Sequence, residues 1–202
     1  KSISLDRDKN EIVLNQNEIS NKFVFSGNDI KNWKIKFNGV NENLEDITPY
    51  KRDENMIGGC ITILNSKFEN LSIEILNNTC SKGIEILNSQ GSFKNVIITK
   101  SILDAFDAEF SKISIDKILI QGAKGECIGV KRGEYQINGA ILNDCLDHSI
   151  SVGEHASLEG NKIFANNNAS GKYGNARYHK RVGLKGIMAK DSSRIILHEY
   201  KN

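Results

Sequence analysis

Residues 61–66 read ITILNS and residues 84–89 read IEILNS, two near-identical hexapeptides 23 positions apart. The echo continues as FDAEFS at 106–111, IGVKRG at 128–133, ISVGEH at 150–155 and IMAKDS at 187–192. The leading apolar residues are Ile61, Ile84, Phe106, Ile128, Ile150 and Ile187, separated by 23, 22, 22, 22 and 37 residues. The last interval is one period plus a 15-residue insertion. Alternation of apolar with polar residues, as in Ile150-Ser151-Val152-Gly153, is the period of a strand with one buried face. A second series of apolar runs keeps step: LSIEI at 71–75, NVIIT at 95–99, ISIDKILI at 113–120, YQINGAIL at 135–142 and SLEGNKIF at 157–164. Asn, Gly and Ser gather between the runs, where corners require left-handed backbone.

A unit of this size with two or three strands and no helix cannot bury its apolar face alone, and stacking successive units solves the problem. The expected fold is all-β, a right-handed parallel β-helix with coils of about 22 residues. The L-x-x-L-x-L-x-x-N frame of leucine-rich repeats is not sustained, and a sandwich would not hold so constant a period. Residues 1–58 are less regular: IVL, FVF and WKIKF suggest one or two opening coils, and the charged stretch 41–55 a projecting loop. Residues 59–202 form the regular coils, interrupted by a basic and aromatic insertion at 166–183. The chain opens on Lys1 rather than Met, which leaves room for a removed upstream segment. Solenoid ends need cover, so a flanking domain or oligomer contact is expected there.

The chain has 202 residues and a net charge of +2, from 27 basic and 25 acidic side chains, so no general attraction to nucleic acid follows. No apolar stretch approaches the roughly 20 residues of a membrane span. Cys60, Cys80, Cys127 and Cys145 contain no C-x-x-C pair, which argues against structural zinc. Each lies in or beside an apolar run, and buried reduced thiols are expected, with disulfides between neighbouring turns as the alternative. The compartment is left open; an extracytoplasmic or cell-surface location is the working expectation.

Counting each leading apolar residue as position zero, positions one and three point away from the core. Position one reads Thr62, Glu85, Asp107, Gly129, Ser151, Met188; position three reads Leu64, Leu87, Glu109, Lys131, Gly153, Lys190. Two residues before zero the column is Gly59, Lys82, Asp104, Glu126, His148, Lys185. Rungs lie about 4.8 Å apart, so Asp104, Glu126, His148 and Lys185 should stack, with Asp107, Glu109, Lys131 and Lys190 beside them. Asp147 and Glu154 crowd the same coil. Carboxylates one rung apart shift each other's titration, and a neighbouring imidazole suits acid–base work on a sugar. No cofactor is required, although calcium would suit Asp104, Asp107 and Glu126. In the insertion, Tyr173, Arg177 and Tyr178 suit sugar stacking and pairing with acidic groups.

LDAFD (103–107), GECIGVKRG (125–133), DHSISVG (147–153) and GIMAK (186–190) fall in the register of the N-T-D, D-D, G-H-G and R-I-K motifs of the polygalacturonase-like glycoside hydrolases, which this stretch resembles. The resemblance implies a pectin-lyase-type β-helix, with Asp104 at the first acid, Glu126 at the second acid of the pair, His148 at the histidine and Lys190 at the final lysine. Gly125 stands at the proton-donating Asp and Met188 at the substrate-binding Arg. The wording of DAFDAEFS, ISVGEHAS and GIMAKDSS is also similar to β-helix regions accompanying spore-coat-protein-H-type kinases.

Two functions follow as expectations. One is a carbohydrate-active enzyme (hydrolase, lyase or epimerase type) acting on an acidic polysaccharide, with Asp104, Glu126, His148 and Lys190 as catalytic residues. Asp107, Glu109, Lys131, Lys185, Tyr173, Arg177 and Tyr178 would bind substrate. In the hydrolytic form Asp104 and Glu126 hold the water; in the eliminative form Lys131 or Lys185 takes the proton. The other is a non-catalytic β-helix module of a larger surface or assembly protein that binds glycan or a protein partner, favoured by Gly125 and Met188.

Overall fold

The computed structural model describes residues 2–27, 29–40, 57–166 and 186–201. They contain no helix. The chain winds into a parallel β-solenoid of about six turns, each crossing from a short sheet to a long one. The short sheet stacks Phe23–Ser26, Gly59–Leu64, Lys82–Leu87, Asp104–Glu109, Ile128–Lys131, Ile150–Gly153 and Ile187–Ala189, all parallel. The long sheet stacks Glu11–Asn15, Lys34–Asn38, Lys67–Asn78, Gln90–Ser101, Lys112–Ala123, Glu134–Cys145, Ser157–Asn166 and Arg194–Lys201.

The register is the one read from the sequence: Ile61, Ile84, Phe106, Ile128, Ile150 and Ile187 are successive rung partners. All are buried, as are the second-series residues Ile73, Val96, Ile118, Ala140 and Ile163. Phe68, Phe93 and Phe106 stack through the interior, with ring centroids 4.6 Å and 6.1 Å apart. In each long strand two successive outward residues reverse the alternation. Asp116 and Lys117 separate buried Ile115 from buried Ile118, and the chain bends there to close the coil.

Two corners recur once per turn in left-handed backbone. At position four, Asn65, Asn88, Phe110, Arg132, Glu154 and Asp191 all have φ between 45° and 52°. At the far corner Asn77, Lys100, Gly122 and Asp144 do the same, with φ between 56° and 79°. Asn tolerates this region better than most side chains and holds three of these ten positions, Asn65, Asn77 and Asn88. Its amides also couple rungs, Asn88 to Asn65 at 2.8 Å, Asn161 to Asn138 at 3.0 Å and Asn166 to Asn143 at 3.1 Å. Just inside the first corner, Ser89 Oγ donates to Leu87 O and accepts from Ser66 N–H, and Ser111 Oγ repeats the pattern.

The opening region has parallel strands at IVL, FVF and WKIKF and adds a hairpin, Ser2–Asp6 running antiparallel to Glu11–Asn15 at the edge of the long sheet. Two expectations are corrected. The cysteines are not reduced thiols: Cys60–Cys80 and Cys127–Cys145 are disulfides with Cα atoms 5.3 Å and 5.6 Å apart. Each ties a residue just before position zero to the turn entering the next rung, slightly less than one lap later. Finally, position one is not a solvent-facing column, for Thr62, Glu85, Asp107 and Met188 are buried. The charged loop at 41–55 and all but the first residue of the insertion at 166–183 lie outside the described residues.

Candidate functional site

The burial of position one begins with Lys82, which enters the short sheet and turns its ammonium back over it. Its Nζ donates to Glu85 Oε1 at 2.9 Å and to Asp107 Oδ1 at 2.7 Å, and the three side chains are almost wholly buried. Glu85 Oε2 also accepts the N–H groups of Gly58 (2.8 Å) and Gly59 (3.2 Å). Burial alone would raise the Glu85 carboxyl, but Lys82 and the two N–H groups outweigh it and hold it below its usual range. Burial likewise opposes the charge on Lys82, and Asp107 with Glu85 reverses the sign, raising it. One cation is therefore shared by two acids in a closed, buried group.

One rung further on, the balance fails. Asp104 Oδ1 accepts the Glu126 N–H at 2.9 Å, and Ser101 Oγ fixes the turn by donating to the Asp104 carbonyl at 2.8 Å. A Cβ at Gly125 would come 2.2 Å from Asp104 Oδ1, so any other residue there has to displace that carboxyl. Burial raises the Asp104 carboxyl, partly opposed by that N–H and reinforced by Asp107. Glu126 then projects over Gly129, whose missing side chain leaves the space its Oε2 occupies, 2.8 Å from where a Cβ would lie. Burial pushes Glu126 up to about 7; Asp104 and Asp147 add to the rise, while the Ser151 hydroxyl and Lys190 oppose it. Its carboxyl is thus an acid that exchanges its proton at neutral pH.

The next rung supplies the complement. His148 Nδ1 lies 2.8 Å from Asp147 Oδ1 and 3.9 Å from Glu126 Oε1. All three side chains are partly buried, with one ligand atom from each within 4.8 Å of the others. Among the described residues this is the trio spaced to share a cation. Asp107 is engaged by Lys82 and Asp104 by backbone. Lys190 is half-buried, with its charge felt at Glu126.

Of the sequence-predicted residues, the structure therefore brings together Asp104, Asp107, Glu126, His148 and Lys190. Glu109 belongs elsewhere, pairing with Arg132 Nη1 at 3.0 Å, while Arg132 Nη2 meets Glu154. Lys131 is half-buried on that same edge, outside the acidic group. Lys185, Tyr173, Arg177 and Tyr178 lie outside the described residues. The reading by columns left out Asp147 as a site residue because it falls beside the column, not in it, although its adjacency to His148 was visible. It also left out Lys82 and Glu85, whose columns were recognised but whose mutual pairing needs the side-chain path.

Comparison with known proteins found no matching family model, no matching curated protein and no matching solved structure.

Proposed function

We propose that the protein is a carbohydrate-active β-solenoid that acts on an acidic polysaccharide, by β-elimination at the Glu126–Asp147–His148 face. The observation that carries this reading is the placement, within 4.8 Å, of an acid that titrates near neutrality and a histidine paired with an aspartate. In the step proposed, His148, with Asp147 Oδ1 2.8 Å from its Nδ1, takes the proton on the carbon next to the uronate carboxylate. That electron pair forms the carbon–carbon double bond as the bond to the glycosidic oxygen breaks, and Glu126 gives its proton to the leaving oxygen. Lys190 would face the substrate carboxylate. Asp104 is a positioning residue, holding the Glu126 backbone. The two disulfides favour an oxidising, extracytoplasmic location.

The test is ultraviolet detection of unsaturated products, with reducing-end release, across uronate-containing polysaccharides. Wild type should generate both signals, should keep them after chelation, and should lose them in Glu126→Gln and His148→Asn. The binding-module alternative draws support from a broad groove of about 700 Å³ on the long sheet, lined by Lys67, Gln90, Ser92, Lys112, Glu134 and Gln136 among others, far from Glu126. Glycan retention without turnover on any polymer would decide for that alternative and against elimination.

A further inference from the structure

The left-handed corner at position four repeats Asn65 and Asn88, side chains suited to that backbone, and then places Phe110 there with φ 52°. A bulky aromatic in this region is strained. It also ends the amide ladder, since a phenyl ring cannot receive from or donate to Asn88 as Asn88 donates to Asn65. Nothing in the core compensates, for Phe110 is 55% exposed. The same corner also admits Arg132, Glu154 and Asp191, so what sets Phe110 apart is the apolar ring it displays to solvent.

The ring is held in place. The Arg132 guanidinium carbon lies 4.8 Å from its centroid, and Arg132 is fixed between Glu109 and Glu154. Beside it runs an open depression of about 610 Å³, lined by Asn65, Asn88, Phe110, Lys112, Arg132 and Glu134 among others. The depression follows the corner across successive rungs, so its polar groups repeat about every 4.8 Å. An apolar ring flanked by amides and by ion pairs, Lys112 with Glu134 and Arg132 with Glu109 and Glu154, matches a pyranose, whose C–H face packs on an aromatic while its edge hydroxyls take hydrogen bonds. Glu126 is six positions away along the strand direction, about 20 Å, so this is a separate place on the surface.

We infer that Phe110, with Asn65, Asn88 and Arg132, forms a second glycan-binding subsite, in which a sugar ring of the polymer stacks on the exposed phenyl. The inference rests on the polysaccharide reading above. Its test is calorimetric titration of oligogalacturonate and oligoguluronate into the Glu126→Gln protein, alone and with Phe110→Asn or Phe110→Trp added. Phe110→Asn should melt no lower than its parent yet bind roughly threefold to tenfold more weakly, the loss of one ring contact, and Phe110→Trp should restore binding. Unchanged affinity in Phe110→Asn overturns the subsite, as does a melting temperature lowered by several degrees, which would make the ring structural. Turnover abolished by Glu126→Gln but indifferent to Phe110→Asn would sink the subsite alone. Absence of both binding and turnover on every oligomer would remove the two together.

Discussion

Glu126 should destabilise the protein that carries it, and the size of the effect follows from its surroundings. Its carboxyl moves from an ordinary 4.5 to about 7 on folding. The folded state therefore holds a proton that the unfolded state has released between those two values. Linkage then requires stability to fall as pH rises through that window, and to stay lower above it. A displacement of about 2.5 units at about 1.36 kcal/mol each gives roughly 3 kcal/mol. Glutamine mimics the protonated acid without the ability to ionise. Glu126→Gln should thus match wild type at pH 4.5 and exceed it by about 3 kcal/mol at pH 8.5, a melting temperature about 6–12 °C higher for a chain of this size. Scanning calorimetry of both proteins across that range is the measurement. Asp104 also rises on burial, but it is common to both proteins and largely cancels in the difference. A difference in melting temperature that stays flat from pH 4.5 to 8.5 would refute the claim that Glu126 is a buried acid without sufficient counter-charge.

The closed group beside it should behave in the opposite way. Lys82→Met leaves Glu85 and Asp107 buried together without their cation and should cost about 3–5 kcal/mol, read by chemical denaturation at pH 7, with part of the loss recovered in Lys82→Met/Asp107→Asn. Opening either disulfide removes a closure of 20 or 18 residues, about 3 kcal/mol each in the chain-entropy account; Cys127→Ser/Cys145→Ser should therefore melt lower, and thiol titration of the unreduced, denatured protein should find none. Gly125→Ala drives a methyl into Asp104 Oδ1 and should break the hydrogen bond to Glu126 N–H, lowering stability by about 1–3 kcal/mol and any uronate turnover with it. Equal stability of Gly125→Ala and wild type in a denaturant series would show that Asp104 does not hold that turn.

Most of the fold was legible because a solenoid writes its contacts into its period. Once Ile84, Phe106, Ile128 and Ile150 are aligned at 22 residues, the neighbours of every other residue on those rungs follow by addition. What the period does not carry is side-chain reach and oxidation state. Position one was read as outward because strands alternate, and it does point away from the core. Lys82 nevertheless folds back over it, a path set by χ angles and not by register. Cys60 and Cys80 sit at different points of the repeat, so alignment by columns separated them, while the chain brings them together one short lap later. Asp147 escaped for a similar reason. The acid–imidazole contact lies between adjacent residues of one turn, and a reading organised by columns weighs it less than the vertical neighbours.

Columns of like residues are where this architecture gains stability, so departures from a column are informative, and they divide into two kinds. At position five, Ser66, Ser89 and Ser111 each return a hydroxyl to the carbonyl two residues back, and then Gly133 interrupts the series. The loss is made good: the buried Tyr135 hydroxyl donates to Lys131 O at 2.8 Å, the very carbonyl a serine at 133 would have served, and only glycine leaves room for it. Lys82 against Glu85 and Asp107 is a second compensated departure. Glu126 and Phe110 are compensated only in part, by Ser151 and Lys190 for the acid and by the Arg132 guanidinium for the ring. The acid is buried without enough positive charge, and the ring is strained without gaining a core contact. A repeat fold can shed such residues readily, since each column shows a cheaper alternative, Lys at 82 for the first and Asn at 88 for the second. Under the proposal of a glycan ligand the two departures have one account, since an acid–base face and an exposed aromatic on the same solenoid would both contact it.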